Sequence, residues 1–237
     1  MANNKDLNPA CTTCIARANS VFGVLSHEQS HELTLHKSCA VYKRGQYIFN
    51  ENGFPHALYC INQGKIKLNT TGIDGKEQIL RLAKTGDVIG YRSLLSNERY
   101  HCSAVALEDS SVCVIDRNYF LEAVGNNPKL LFEVVRKITN DLKKAEEHIV
   151  SLSQKNVRER MAEALLFFKA TFGFAADGQT LNVTFSREEI ADYVGTSTES
   201  AIRLLSEFNQ DKIIELAGKK IKILSLPKLI KTANIDD

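Results

Sequence analysis

Three spacings in this chain could do chemistry. Cys11 and Cys14 form a C-x-x-C pair in a polar N-terminal stretch, a spacing at which two thiolates can share a metal or cluster or close a disulfide. His27, Glu28 and His31 match H-E-x-x-H, which on a helix sets two imidazoles one turn apart for zinc, with a carboxylate as base. Glu199 and Arg203 lie four apart near the start of a C-terminal helix. Arginine can bind guanine O6 and N7 together, and glutamate can accept from cytosine N4.

Each spacing has an ordinary reading beside it. Buried strand cysteines usually act as small hydrophobes. A glutamate and arginine four apart commonly form a surface ion pair. The H-E-x-x-H stretch begins at a helix start, because Ser26 and Gln29 have the spacing of a capping box. Polar Gln29 and Ser30 fill its interior positions, and His36 fits no metalloprotease spacing. The expectation is a solvated first turn, and no enzyme.

The elements that must position these residues follow from periodicity. Residues 40–115 read as short strands broken by glycines: Tyr47 to Phe49, Leu58 to Ile61, Lys65 to Leu68, Gln78 to Leu82 and Ser111 to Ile115. Gly72-Ile73-Asp74-Gly75 reads as a hairpin turn. After Pro128 the period changes. Leu131, Val135, Ile138, Leu142, Ala145, Ile149 and Leu152 are spaced alternately by four and three, a coiled-coil seam. Asn156 to Phe172 reads as a helix and Leu181 to Phe185 as a strand. Ser186 and Glu189 cap a short helix ending at Gly195, and a second capping box, Thr196-Ser197-Thr198-Glu199, opens a helix running to about Asn209. Ile213 to Leu216 and Lys220 to Leu224 read as a hairpin.

The strands argue for an antiparallel sandwich, roll or barrel, the heptad stripe for a dimer seam over a core helix, and the last elements for a winged helix-turn-helix. Together with the resemblance given below, the expected fold is α+β: an N-terminal antiparallel β-roll (a double-stranded β-helix or jelly roll), a long dimerisation helix and a C-terminal winged helix-turn-helix. The expected divisions are a cysteine-containing segment at 1–20, a sensor roll at 21–127, the dimer helix at 128–155 and the DNA-binding domain at 156–237. The 237 residues suit two domains, and 43% hydrophobic content suits ordinary cores. No apolar run approaches the roughly 20 residues a membrane helix needs. The polar first residues carry no apolar signal stretch, so the expected compartment is the cytoplasm, where cysteines stay reduced or serve metal or redox chemistry. The net charge of +2 excludes a strongly basic nucleic-acid binder. From residue 156 onward, 11 Lys and Arg face 12 Asp and Glu, so attraction to phosphate must come from local clustering.

Residues of about 20–230 resemble the catabolite-activator and fumarate–nitrate-regulator superfamily (Crp/Fnr). Gly86-Asp87-Val88-Ile89-Gly90 followed by Ser103-Ala104 is similar to that family's β-roll signature. The stretch from Phe185 to Leu205 is similar to its helix-turn-helix in nearly every patterned position. The resemblance implies a homodimer on palindromic double-stranded DNA, with RNA polymerase as a further partner and no membrane role. It implies that Glu199 and Arg203 read bases, and that Arg187, Thr196, Ser197, Thr198, Lys219 and Lys220 contact DNA, with Lys222 beside the wing lysines at phosphate. Ile202 stands where family members typically have serine or glycine. The effector pocket would comprise Gly90, Tyr91, Arg92, Cys102 and Ser103. Cyclic-AMP binders place glutamate and arginine where this chain has Tyr91 and Cys102. An anionic phosphate buried without its cation is costly, so cyclic AMP is disfavoured.

Cys113 matches the roll cysteine that holds an iron–sulfur cluster in the oxygen-sensing branch. That branch's third N-terminal cysteine is Ser20 here. Cys39, on the expected first strand, can supply the missing thiolate, because a roll commonly pairs its first and last strands. Cys11, Cys14, Cys39 and Cys113 would then hold a [4Fe–4S] cluster, hold zinc, form a redox disulfide or simply pack. Cys60 and Cys102 read as packing residues. The competing class is a β-roll ligand- or metal-binding enzyme whose winged helix serves protein contacts.

Overall fold

The computed structural model describes residues 8–235; the polar first residues read for a signal stretch lie outside them. The chain forms two compact units. One takes residues up to Thr70 together with Leu80–Lys143, and the other takes Thr71–Ile79 and everything from Lys144. The long helix and two strands each contribute residues to both.

The first unit is a roll of two four-stranded sheets. One sheet orders β1 (Lys37–Tyr42), β8 (Ser110–Asp116), β3 (Ala57–Gln63) and β6 (Val88–Ile89); the other orders β2 (Tyr47–Phe49), β7 (Ser103–Ala106), β4 (Lys65–Thr71) and β5 (Glu77–Lys84). The pairs β1–β8, β2–β7, β3–β6, β3–β8 and β4–β7 are antiparallel, and first strand pairs with last as expected, with Cys39 opposite Cys113. Strand residues alternate between two cores. Ala57, Tyr59 and Ile61 face the interior with Phe49, Tyr100 and Val112. Leu58, Cys60, Cys113 and Ile115 face an outer layer. That layer comes from α1 (Ile15–Ala18), a 3₁₀ turn at Val21–Val24, α2 (His27–Leu35), α3 (Tyr91–Ser96), α4 (Arg117–Asn126) and the start of α5 (Pro128–Gln154). Because both faces are covered, several of these strands read as apolar runs rather than as clean alternation.

The second unit holds α6 (Val157–Phe172), α7 (Arg187–Val194), α8 (Thr198–Gln210), the hairpin of β9 (Ile214–Ala217) and β10 (Lys220–Ile223), and α9 (Leu226–Ala233). Asn156 caps α6 and Ser186 caps α7 through reciprocal boxes with Glu159 and Glu189. Two expectations are corrected. Residues Leu181 to Phe185 make only an isolated bridge, Phe174 to Leu181, next to a second isolated bridge from Thr180 to Lys222 of the wing. The cap of α8 is Ser197, whose hydroxyl accepts from Ser200 N–H, so Glu199 lies in the first turn and is not the reciprocal partner of a capping box. The core around α6 and α7 is aromatic: Phe168 packs on Phe185 and Tyr193 at centroid distances of 4.5 and 5.0 Å.

In α5, Leu130 is fully buried in the outer core of the roll, whereas Phe132 is 74% exposed. We expect Leu130→Ala to cost about 2–5 kcal/mol by denaturant unfolding, and Phe132→Ala to stay within about 0.5 kcal/mol of the parent.

Candidate nucleic-acid interface, effector region and cysteine cluster

The interface is built from a turn. Gly195 ends α7 in the left-handed region at φ +71°, which a side chain resists, and its N–H donates to Ala191 O. Arg160 of α6 fixes the same turn: its guanidinium donates to Val194 O at 3.0 Å and Gly195 O at 3.1 Å, and to Lys155 O at 2.8 Å. Gln78, at the base of the hairpin tip belonging to this unit, donates to Asp192 O at 2.6 Å. The sequence reading missed both; neither sits in a motif, and each acts on a backbone carbonyl.

On this turn, α8 buries Ala201, Leu204, Leu205 and Phe208 and leaves Glu199, Ile202, Arg203 and Ser206 outward. Glu199 is not paired with Arg203. Its carboxyl is held below the ordinary range by its own backbone N–H and by the Ser197 hydroxyl. Arg203 pairs one turn on, with Glu207 at 2.8 Å, and remains 66% exposed. Thr196 and Thr198 are half-buried beside exposed Ser197. Lys219 and Lys220 are exposed on the wing, and Lys222 lies 3.8 Å from Glu215. Arg187, expected at DNA, also has a partner within this unit. Half-buried at the head of α7, it donates to Gly218 O at 2.9 Å and ties the wing turn to the helix.

The structure places the five residues expected to line an effector pocket as follows; the Arg92 guanidinium is among the charges that act on Cys102. Cys102 is buried in the roll interior, where burial pushes its thiol up to about 11. Gly90 at φ +85° lies against Tyr59, which an added Cβ would approach to 3.2 Å. Phe49 stacks on Tyr100 at 4.1 Å and packs on Tyr59 at 5.3 Å, filling that interior. Arg92 is exposed, and Ser103 accepts from Glu51 N–H at 2.9 Å. Tyr91 faces the other way. Its hydroxyl donates to Asp141 of α5 and accepts from Arg81 at 2.9 Å, while Arg81 also pairs with Asp141 and donates to Val88 O at 3.1 Å. Lys137 adds contacts to Asp141 at 3.0 Å and Asp87 at 3.4 Å. Burial pushes the Tyr91 phenol up to about 12. Burial opposes ionisation of Asp141, but Arg81 and Lys137 outweigh it and hold the carboxyl below the usual range.

Five sulfurs lie on the outer face of the first sheet or above it. Residues directly opposite in an antiparallel pair share a face, and Cys113 stands opposite both Cys39 and Cys60. Cys39 and Cys113 are joined as a disulfide. Cys11 is buried in the same core, and Cys14 caps α1 while its thiol donates to Asn62 Oδ1 at 3.5 Å. Burial first, then the neighbouring Cys14 and Cys11, pushes the Cys60 thiol up to about 12, partly offset by a hydrogen bond with Ser20. The reading of Cys60 as a packing residue thus omitted its neighbours; the cross-strand register is the signal that finds them. Of the alternatives expected for Cys11, Cys14, Cys39 and Cys113, this structure shows a disulfide between Cys39 and Cys113, with Cys11 and Cys14 not disulfide-bonded. Among the described residues no group of three or more His, Cys, Asp and Glu side chains is arranged to hold a metal ion. His27, Glu28 and His31 lie exposed on α2 behind the Ser26–Gln29 capping box.

A helix, a glycine turn, an outward-facing second helix and a two-stranded wing define a winged helix-turn-helix, the fold of a DNA-binding regulator. The comparisons agree. The profile of the cyclic nucleotide-binding domain matches residues 40–127, and that of the Crp-like helix-turn-helix domain matches residues 159–232. The chain is 32% identical to the fumarate and nitrate reduction regulatory protein of Vibrio cholerae over 81% of its own length and 77% of that protein. It is 34% identical to electron transport regulator A of Shewanella oneidensis, covering 77% of this chain and 73% of that one. The structure of FixK2 from Bradyrhizobium japonicum shares the fold with a TM-score of 0.75 at 24% identity, covering 85% of this chain and 99% of that one. The chain belongs to the Crp/Fnr family of transcription regulators and is a DNA-binding member of it. No helix among the described residues is long and apolar enough to cross a membrane.

Asp141→Asn leaves Arg81 without its charged partner and should cost about 3 kcal/mol at pH 7. Because the folded-state pKa of Asp141 lies below its ordinary 3.8, its stabilisation is present above that value and is lost as pH falls through the folded pKa. Unfolding measured at pH 7 and near pH 3 should therefore show the gap between parent and variant closing at the lower pH.

Proposed function

We propose that this chain is a homodimeric one-component regulator that reads a palindromic DNA site and answers a signal other than cyclic AMP. Residues 21–127 form the sensor, 128–155 the dimer helix and 156–237 the DNA-binding part, and the protein works in the cytoplasm alongside RNA polymerase rather than as an enzyme. The observation that carries the reading is the outward face of α8, where Glu199 and Arg203 stand exposed and unpaired with each other at the recognition position. Arg203 reads the guanine of a T-G-A half-site and Glu199 accepts from the cytosine opposite a neighbouring guanine. Arg187, Thr196, Ser197 and Thr198 border that contact, and Lys219 and Lys220 approach phosphate. Fluorescence anisotropy on a palindrome with T-G-A half-sites about one helical turn apart tests this. Arg203→Ala should weaken the specific site by about 1–3 kcal/mol and relax preference at the guanine. Equal losses on specific and random DNA refute the assignment.

The second copy sits on α5. Leu131, Val135, Ile138, Leu142, Ile149 and Leu152 are all exposed along one heptad stripe. The double variant Ile138→Lys and Leu142→Lys should elute as a folded monomer and lose palindrome binding; a folded dimer from that variant removes this seam.

A further inference from the structure

We propose that Cys39 and Cys113 form a reversible dithiol–disulfide site that exchanges with small disulfides, in which Cys39 is the attacking sulfur and Lys37 holds its thiolate. The inference is independent of the DNA-binding reading.

Four observations assign these roles. The two cysteines stand opposite each other on β1 and β8 and are bonded. β1 is the edge strand of its sheet, and Cys39 on it is half-buried, whereas Cys113 on the next strand inward is buried. Lys37, two residues back and therefore on the same face of β1, places Nζ 3.4 Å from Cys39 Sγ. A neighbouring ammonium favours the thiolate, which is the nucleophilic form. Finally, Cys60 is the other neighbour of Cys113, but burial keeps its thiol protonated near neutral pH, so it does not compete. Cys11, in the same core, is pushed upward by burial as well.

The exchange balances with a small disulfide as oxidant. The Cys39 thiolate attacks one sulfur of that disulfide; a Cys39–S bond forms, the small S–S bond breaks, and one small thiolate leaves and takes a proton from water. Cys113 gives up its proton and attacks Cys39 Sγ, which releases the second small thiol. Two protein thiols are oxidised and one small disulfide is reduced to two thiols. A small thiol in excess runs the sequence backward. In a reducing compartment such disulfides are characteristically transient and redox-sensing.

The test equilibrates the full chain in glutathione buffers of graded oxidised fraction, quenches with acid, alkylates with iodoacetamide after unfolding in denaturant and maps the six cysteines by peptide mass spectrometry. In reducing buffer all six should alkylate. In oxidising buffer Cys11, Cys14, Cys60 and Cys102 should alkylate while the Cys39 and Cys113 peptides are linked, reversibly. Lys37→Met should slow oxidation by glutathione disulfide about tenfold through its smaller thiolate fraction, and Lys37→Arg should restore the parent rate. Circular dichroism keeps a folding defect separate from a kinetic one. Six alkylated cysteines in oxidising buffer, a link through any other cysteine, or an unchanged rate in folded Lys37→Met overturns the proposal.

Discussion

The burial of Leu130 and Val134 against the roll sets the rotation of α5, and much of the rest follows from that rotation. Residues at spacings of three and four share a helix face. From Leu130 and Val134 the same face runs on through Lys137 and Asp141, which meet Asp87, Arg81 and Tyr91. Further along it carries His148, whose ring packs on Tyr193 at 5.4 Å, and Ser151, whose hydroxyl bonds Glu163. The apolar heptad stripe begins at Leu131, one position round, and is thereby turned away from the chain's own cores. A single helix thus keeps an internal face, apolar at its start and ionic or polar afterwards, beside an external face that is apolar throughout.

The outer sheet of the roll obeys a comparable constraint. Because β3 and β8 are covered on both sides, alternate residues are committed to different environments. One set fills the interior, where Phe49, Tyr59 and Tyr100 pack together. The other set brings Cys60 and Cys113 under the N-terminal segment that carries Cys11 and Cys14. Shifting either strand by one residue would exchange the two sets, so the sulfur row and the aromatic interior are consequences of one register.

This arrangement explains what was legible in the sequence. The heptad stripe could be read because it is apolar at every position. The internal face of α5 could not, because after Val134 it consists of Lys137, Asp141, His148 and Ser151, which carry no hydrophobic signal. The hairpins and the capping boxes at Ser26 and Ser186 could be read because turn and cap chemistry is local. The short β6 and β7 could not, since two to four residues carry too little periodicity and are held by neighbouring strands. Among the cysteines, the pairing of Cys39 with Cys113 was visible from strand order. The neighbourhood of Cys60 needed the register of β3 on β8, which no local pattern encodes.

The near-neutral charge of the C-terminal part, a difficulty when only composition is known, resolves by position. Glu159 and Glu189 are spent on helix caps, and Glu163 is held by Lys155 and Ser151. Glu207 and Asp211 are paired with Arg158 at 2.7 Å each, and Asp177 is closed into its own turn with Thr180. An acid paired with its own arginine, or facing a backbone N–H, projects little repulsion toward a phosphate about a Debye length away. The wing lysines Lys219 and Lys220 stand exposed, and Arg203 reaches outward from α8 with most of its surface in solvent. The total therefore misstates the field that DNA would meet. Attraction depends on which charges remain outward on the recognition face, and the cap and ion-pair geometry of α6, α7 and α8 withdraws several acids from it.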